Sequence, residues 1–181
     1  MKISEMNLPN KLTLLRILLI PLFILCFYIS SPFINFIGII IFCVASFTDF
    51  LDGYIARKHN LVTDFGKFMD PLADKILTLS AWILLVEHGK LAAWIVIIIL
   101  TREFAITGFR QLAQQKQIVL AANQWGKIKT VTQLITIILF LISFILGVSQ
   151  VLLNIMTVLV LIITLYSGYT YFVDNKKVFS K

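Results

Sequence analysis

Four of the chain's nine acidic side chains form two pairs with helical spacing. Asp49 and Asp52 are three residues apart, and Asp70 and Asp74 are four residues apart. On an α-helix, either spacing places both carboxylates on one face. Four carboxylates that converge cannot all stay ionised at low dielectric unless cations compensate them. Because oxygen-rich sites suit Mg²⁺ or Mn²⁺, the two pairs predict a site for two divalent cations.

Solvation of helix ends is the alternative explanation for these acids, and it would be preferred for a single pair at a membrane interface. Two pairs on consecutive apolar segments favour the metal site instead. Asp64 belongs to neither pair, and loop solvation or a helix N-cap explains it better.

Small residues and one cation accompany the acids. Gly53 and Ala56 lie four and seven residues after the first aspartate, so a helix would place them on the same face. Gly66 lies one turn before the second pair. Such a face lets a ligand approach the backbone, although close helix packing would also explain Gly53. Because Arg57 adds a cation suited to phosphate, the segment predicts a diphosphate site.

The segments that must position this site are apolar over long continuous runs. Apolar residues make up 59% of the 181 residues and charged residues 14%, whereas soluble domains are about half apolar and a quarter charged. A helix needs about 20 apolar residues to cross a bilayer. We therefore predict an all-α integral membrane protein, a single domain over residues 1–181 with six transmembrane helices. The predicted spans are residues 11–29, 33–56, 70–87, 91–112, 128–147 and 150–172.

The net charge of +7 is distributed unevenly along these spans. With the N-terminus inside, Lys90 is the only Lys or Arg expected in an outer loop. This asymmetry follows the positive-inside rule, and it argues against a nucleic-acid partner. It predicts a multi-pass protein of the cell (inner) membrane, in contact with membrane lipids, whose active-site cavity faces the cytoplasm.

The chain resembles the CDP-alcohol phosphatidyltransferase family through the signature Asp49-x-x-Asp52-Gly53-x-x-Ala56-Arg57, eight residues, Gly66-x-x-x-Asp70-x-x-x-Asp74. All positions of that signature are filled, and the six predicted spans extend the resemblance over essentially the whole chain. It implies that a phosphatidyl group passes from CDP-diacylglycerol to an alcohol while CMP leaves. It also implies a homodimer.

The resemblance further implies a role for each signature residue. The general base would be Asp74. The ligands of the two divalent cations, Mg²⁺ or Mn²⁺, would be Asp49, Asp52, Asp70 and Asp74. The residues that bind the CDP-lipid would be Asp52, Gly53, Ala56, Arg57 and Gly66.

Ionisable residues inside the apolar runs bear on the acceptor alcohol. Arg102 and Glu103 fall within the fourth run, where such a side chain costs roughly 2.5–3.5 kcal/mol at a helix centre. We expect both to line a wet cavity, together with Asn10 and Thr13 of the first run.

A surplus of cations around such a cavity suits an acceptor that is itself an anion, which favours sn-glycerol 3-phosphate. Several segments, among them "REFAITGFR" and "WGKIKTVTQ", also resemble bacterial family members that use this acceptor. Snorkelling to the headgroups is an equal alternative for the two lysines of the fifth run. The predicted phosphate-binding residues are Arg16, Arg110, Lys127 and Lys129.

Other functions remain open at this point. The same family includes enzymes whose acceptor is inositol phosphate, serine or phosphatidylglycerol. An intramembrane prenyltransferase also places two aspartate clusters near Mg²⁺ and a diphosphate, and a divalent-cation transporter could use carboxylates. The last apolar run, residues 150–172, is assigned no chemistry.

Overall fold

The structure, a computed structural model, describes the backbone of residues 8–58, 64–118, 120 and 123–178. Side chains are described over residues 10–48, 69, 72–118, 120, 123–176 and 178. This part of the chain folds into six α-helices and a short terminal 3-10 helix, so the predicted all-α class is confirmed. The α-helices are α1 (Leu8–Tyr28), α2 (Pro32–Lys58), α3 (Asp64–Glu87), α4 (Ala93–Gln115), α5 (Gln124–Ile142) and α6 (Gln150–Asp174), and the 3-10 helix is Lys176–Val178.

The helix boundaries differ from the predicted spans by up to six residues, and the two largest differences are at the start of α3 and the end of α5. α3 begins at Asp64, well before the predicted start at residue 70, because a helix continues through polar sequence when its backbone hydrogen bonds are made. α5 ends at Ile142 and not at residue 147. There the amides of residues 144–146 donate to the carbonyls of Leu141 and Ile142, which closes a turn of apolar residues. Hydropathy alone does not distinguish such a turn from a further turn of helix.

Three of the described helices are long and apolar enough to cross a membrane: α1 from Asn10 onward, α5 and α6. The apolar part of α2, Pro32–Thr48, is shorter. Arg102, Glu103 and Arg110 interrupt the apolar sequence of α4. The described part of the chain therefore has the helices of a membrane protein, while the count of six spans remains a prediction.

The chain divides into two compact units, and each is described by itself. The first unit contains residues 1–85 and 141–146, and the second contains residues 86–140 and 147–181. Two of the three divisions fall within α3 and α5, and the third lies between α5 and α6, so neither unit is a single stretch of sequence.

In the first unit, α1 and α2 pack closely through aromatic side chains and one glycine. Phe23 contacts Phe27 and Phe42, with ring centroids 5.5 Å and 5.3 Å apart. A Cβ atom added at Gly38 would lie 2.6 Å from Cε2 of Phe27 and 2.8 Å from Cβ of Cys26. Small residues let membrane helices approach closely, and here the approach leaves no room for a methyl group.

We predict that Gly38→Ala destabilises the protein by about 1–3 kcal/mol, because the added methyl group overpacks the contact between α1 and α2. Thermal unfolding in detergent micelles measures the change. Gly108→Ala in α4 is the matched control, because a Cβ there meets nothing within 4 Å. The control should be neutral or slightly stabilising, since alanine reduces the freedom of the unfolded chain. Equal melting temperatures for the two variants would contradict this account of the packing.

Candidate functional site

The two acid pairs lie on helical backbone in the first unit. Positions 49 and 52 fall in the second half of α2, and positions 70 and 74 fall in the first half of α3. Because the backbone is helical at all four positions, the spacing still predicts that each pair shares one helix face. Asp74 is half-buried, and its backbone carbonyl accepts a hydrogen bond from Oγ1 of Thr78 at 3.2 Å.

The remaining signature side chains lie outside the described part of the structure. These are Asp49, Asp52, Asp70 and the residues predicted to bind the CDP-lipid, namely Gly53, Ala56, Arg57 and Gly66, whose backbone is helical. Among the side chains that are described, no group of three His, Cys, Asp or Glu residues could hold a metal. The chemistry of the predicted donor set, four carboxylates from two helices, suits Mg²⁺ or Mn²⁺. Their roles as ligands remain predictions.

One face of α1 brings polar residues towards α2. Asn10, Thr13 and Arg16 are all buried, although they lie in an apolar helix. Nε of Arg16 donates to the backbone carbonyl of Ala45 at 3.2 Å. That carbonyl lies one helical turn before position 49. The guanidinium group of Arg16 therefore reaches the part of α2 where the acidic signature begins.

In the second unit, charged side chains of α4 and α5 meet. Lys129 of α5 forms an ion pair with Glu103 of α4, and only 6% of the lysine side chain is exposed. Nη1 of Arg102 lies 3.9 Å from the same carboxylate oxygen. A buried ammonium group needs a partner to offset its lost hydration, and Glu103 provides it. Lys127, two residues before Lys129, is exposed at the start of α5.

Two hydroxyl groups of α6 hold the arginines of α4. Nη2 of Arg102 donates to Oγ of Ser167 at 3.0 Å, and Nε of Arg110 donates to the phenolic oxygen of Tyr171 at 3.0 Å. The guanidinium carbon of Arg110 also lies 5.4 Å from the centroid of the Tyr171 ring, within cation–π range. The two guanidinium groups are close enough to act on each other electrostatically. We call Arg102, Glu103, Arg110 and Lys129 the cationic cluster.

The contacts of α6 with this cluster were not predicted from the sequence, because the last run is distinguished there only by its apolar residues. A signal was present: Thr164, Ser167, Gly168 and Tyr171 recur at helical spacing, and all four are buried. A Cβ at Gly168 would lie 3.2 Å from Cγ of Arg102, so this glycine leaves room for the arginine's aliphatic stem.

Further buried polar atoms lie on the helices that carry the cluster. Gln133 is one turn after Lys129 on α5 and is 5% exposed. Its Nε2 atom and Oγ1 of Thr164 have no hydrogen-bond partner among the described residues. Buried polar atoms are nearly always paired, so unpaired ones usually mark a place for water or a polar ligand.

Known proteins of one family are similar to this chain in sequence. The family model for CDP-alcohol phosphatidyltransferase matches residues 6–166. A CDP-diacylglycerol–glycerol-3-phosphate 3-phosphatidyltransferase of Bacillus subtilis (strain 168) is 49% identical over 143 residues, which cover 72% of this chain and 74% of that protein. Proteins of the same name are 39% identical in Rickettsia bellii, covering 99% of this chain and 100% of that protein, and 38% identical in Escherichia coli (strain K12), covering 74% and 75%. The chain therefore belongs to the CDP-alcohol phosphatidyltransferase family and is a membrane enzyme.

Proposed function

We propose that this enzyme transfers a phosphatidyl group from CDP-diacylglycerol to sn-glycerol 3-phosphate, giving phosphatidylglycerophosphate and CMP. The names of the similar proteins specify this donor and this acceptor. Membership of the family sets aside the prenyltransferase and the cation transporter. The choice that remains is between the acceptors that the family uses.

The observation that carries the choice of acceptor is the charge of the cationic cluster. The cluster contains three cations and one carboxylate, so its net charge is +2. The cations are Arg102, Arg110 and Lys129, and the carboxylate is Glu103. Ionisable groups within apolar helices are costly, so such an excess of positive charge supports a role in binding an anion. A phosphate monoester carries close to two negative charges at neutral pH and would balance the excess. Serine and unphosphorylated inositol would not.

The predicted phosphate-binding residues divide by unit. Arg110, Lys127 and Lys129 belong to the second unit, whereas Arg16 belongs to the first and already donates to Ala45. Arg110 is hydrogen-bonded to an uncharged phenol, so its positive charge is not neutralised there. We therefore give Arg110 the largest share in holding the acceptor phosphate. Lys129 contributes through a charge that Glu103 partly offsets.

For the acidic signature we propose a metal site, since members of this family generally depend on divalent metals. Mg²⁺ or Mn²⁺ bound by Asp49, Asp52, Asp70 and Asp74 would supply charge neutralisation for the diphosphate. Gly53, Ala56 and Gly66 would let the cytidine end approach the helix backbone, and Arg57 would bind phosphate oxygens.

The chemical step replaces one P–O bond at the lipid-side phosphorus with another. The acceptor hydroxyl oxygen attacks the lipid-side phosphorus, a new P–O bond forms, and the P–O bond to the CMP phosphate breaks. Asp74 takes the hydroxyl proton, and its half-buried position leaves the carboxylate within reach of a ligand. The acyl chains of the donor stay in the bilayer throughout, which suits a site at the cytoplasmic face of the cell membrane. We also propose a homodimer.

Acceptor choice is tested by giving the purified protein CDP-diacylglycerol, Mg²⁺ and one acceptor at a time. We expect phosphatidylglycerophosphate and CMP with sn-glycerol 3-phosphate, because only a dianion balances the cluster. Serine and phosphatidylglycerol should give no product, and inositol phosphate is the most demanding comparison because it is also a dianion. Failure with sn-glycerol 3-phosphate, alongside turnover of another acceptor, would replace the proposed substrate and keep the family.

The base role of Asp74 is tested by Asp74→Asn, which keeps the shape of the side chain but cannot accept the proton. We expect kcat to fall by about a hundredfold or more, the usual contribution of a general base. Binding of CDP-diacylglycerol, measured separately, should persist. Asp174→Asn, the same change at an exposed site near the end of α6, is the control. Residual activity in Asp74→Asn above about a tenth of normal would remove Asp74 from this role.

The metal site is tested by Asp49→Asn, which removes one anionic ligand. We expect the Mg²⁺ concentration for half-maximal activity to rise by about tenfold or more, together with a lower maximal rate. An excess of chelator should abolish synthesis by the unaltered enzyme. An unchanged Mg²⁺ titration in Asp49→Asn would show that this carboxylate is not a ligand.

A further inference from the structure

We propose that α6 supplies two positioning residues, Tyr171 and Ser167, which hold Arg110 and Arg102 in the orientation that binds the acceptor phosphate. The inference rests on the function proposed above and extends it to a helix whose sequence indicated no chemistry. On this view, the last span helps to determine acceptor affinity, and it does so through the arginines of α4.

Tyr171 is held rigidly enough to position another side chain. It is 3% exposed, and its ring packs edge to face against Phe109 with centroids 5.9 Å apart. The phenolic oxygen accepts from Nε of Arg110 at 3.0 Å. This hydrogen bond uses the single Nε donor of the guanidinium group. The two Nη nitrogens, whose paired geometry matches a phosphate, are left to bind a ligand.

The acceptors on α6 are uncharged, and this determines what the arginines can do. Lys129 is paired with a carboxylate, which offsets its charge. Tyr171 and Ser167 orient their arginines through hydroxyl groups and leave the positive charges in place. Carboxylates at these positions would hold the arginines as firmly but would compete with an anionic ligand for them.

The guanidinium groups of Arg102, which is half-buried, and Arg110, which is exposed, lie on the same helix and repel each other as like charges. A phosphate bound to both would convert this repulsion into attraction. The hydroxyl contacts keep the pair assembled before the ligand arrives, so less ordering of long side chains remains to be done on binding. Gly168, which contacts the stem of Arg102, belongs to the same face of α6.

The central experiment compares Tyr171→Phe with Tyr169→Phe. The first change keeps the ring and removes the hydroxyl that orients Arg110, whereas Tyr169 lies on the same helix and is 68% exposed. We expect Tyr171→Phe to raise the KM for sn-glycerol 3-phosphate by about tenfold, the usual effect of losing a hydrogen bond to a charged group. The kcat and the KM for CDP-diacylglycerol should change by less than about twofold. Tyr169→Phe should match the unaltered enzyme.

A double-mutant cycle shows whether Tyr171 acts through Arg110. In an Arg110→Lys background the Nε donor is gone, so Tyr171→Phe should raise KM no further. An increase of the same size in both backgrounds would overturn the proposal. An unchanged acceptor KM in Tyr171→Phe would do the same, as would a parallel loss of kcat, affinity for both substrates and melting temperature.

Ser167→Ala is the second variant and serves if Tyr171→Phe does not fold. It removes the contact to Arg102 and should also raise the KM for sn-glycerol 3-phosphate selectively. Protection against thermal unfolding by inorganic phosphate provides a readout without turnover. The unaltered protein should be protected at lower phosphate concentrations than either variant, and equal protection would count against positioning. If the unaltered enzyme does not use sn-glycerol 3-phosphate at all, the proposed function fails; if it does and the variants match it, only the positioning role fails.

Discussion

A charge placed inside an apolar helix bundle must be compensated, and this constraint organises the polar parts of the molecule. The sequence carries 25 ionisable Asp, Glu, Lys and Arg side chains among long apolar runs. Several of those that lie within the runs are held by specific contacts in the described part of the structure. Arg16 donates to a backbone carbonyl, Lys129 pairs with Glu103, and two arginines bind hydroxyl groups. Each contact lowers the cost of a charged side chain at membrane depth.

The partner of each charged side chain determines how strongly its charge can still attract a ligand. A lysine paired with a glutamate is partly neutralised, so it attracts another anion less strongly than an unpaired lysine would. An arginine held by a phenol stays fully cationic while its orientation is fixed. The cationic cluster combines both arrangements and keeps a net positive charge, which is the property that an anionic acceptor requires. Under the proposed function, acceptor choice would depend on charge balance as well as shape.

The acidic signature concentrates negative charge, whereas the cationic cluster has an excess of positive charge. Four carboxylates on two helices would repel one another, and divalent cations are the natural partners for hard oxygen ligands at such density. The diphosphate of the proposed donor would add further negative charge, so bound cations would compensate the ligand as well as the protein. In a membrane enzyme this arrangement would let a lipid keep its acyl chains in the bilayer while its charged end reaches a polar site.

The sequence was sufficient for the features that depend on local composition and spacing. Apolar runs predicted six helices, and helical periodicity placed each acid pair on one face, because both follow from the geometry of a single helix. The eight-position signature identified the family, and the comparison with known proteins confirmed it. The start of α3 and the end of α5 were predicted less well, since backbone hydrogen bonding, not hydropathy, determines where a helix begins and ends.

Tertiary structure decided which residues on different helices touch. No feature of the sequence pairs Lys129 with Glu103 or Arg110 with Tyr171, because residues 26 and 61 positions apart meet only when their helices pack. For the same reason the last span appeared apolar and without function. The hydroxyl groups of Ser167 and Tyr171 can be assigned a role only because they accept hydrogen bonds from the arginines of α4. The sequence by itself determined the helices and the family chemistry; the packing of α4, α5 and α6 decided which charges are neutralised and which remain available to a ligand.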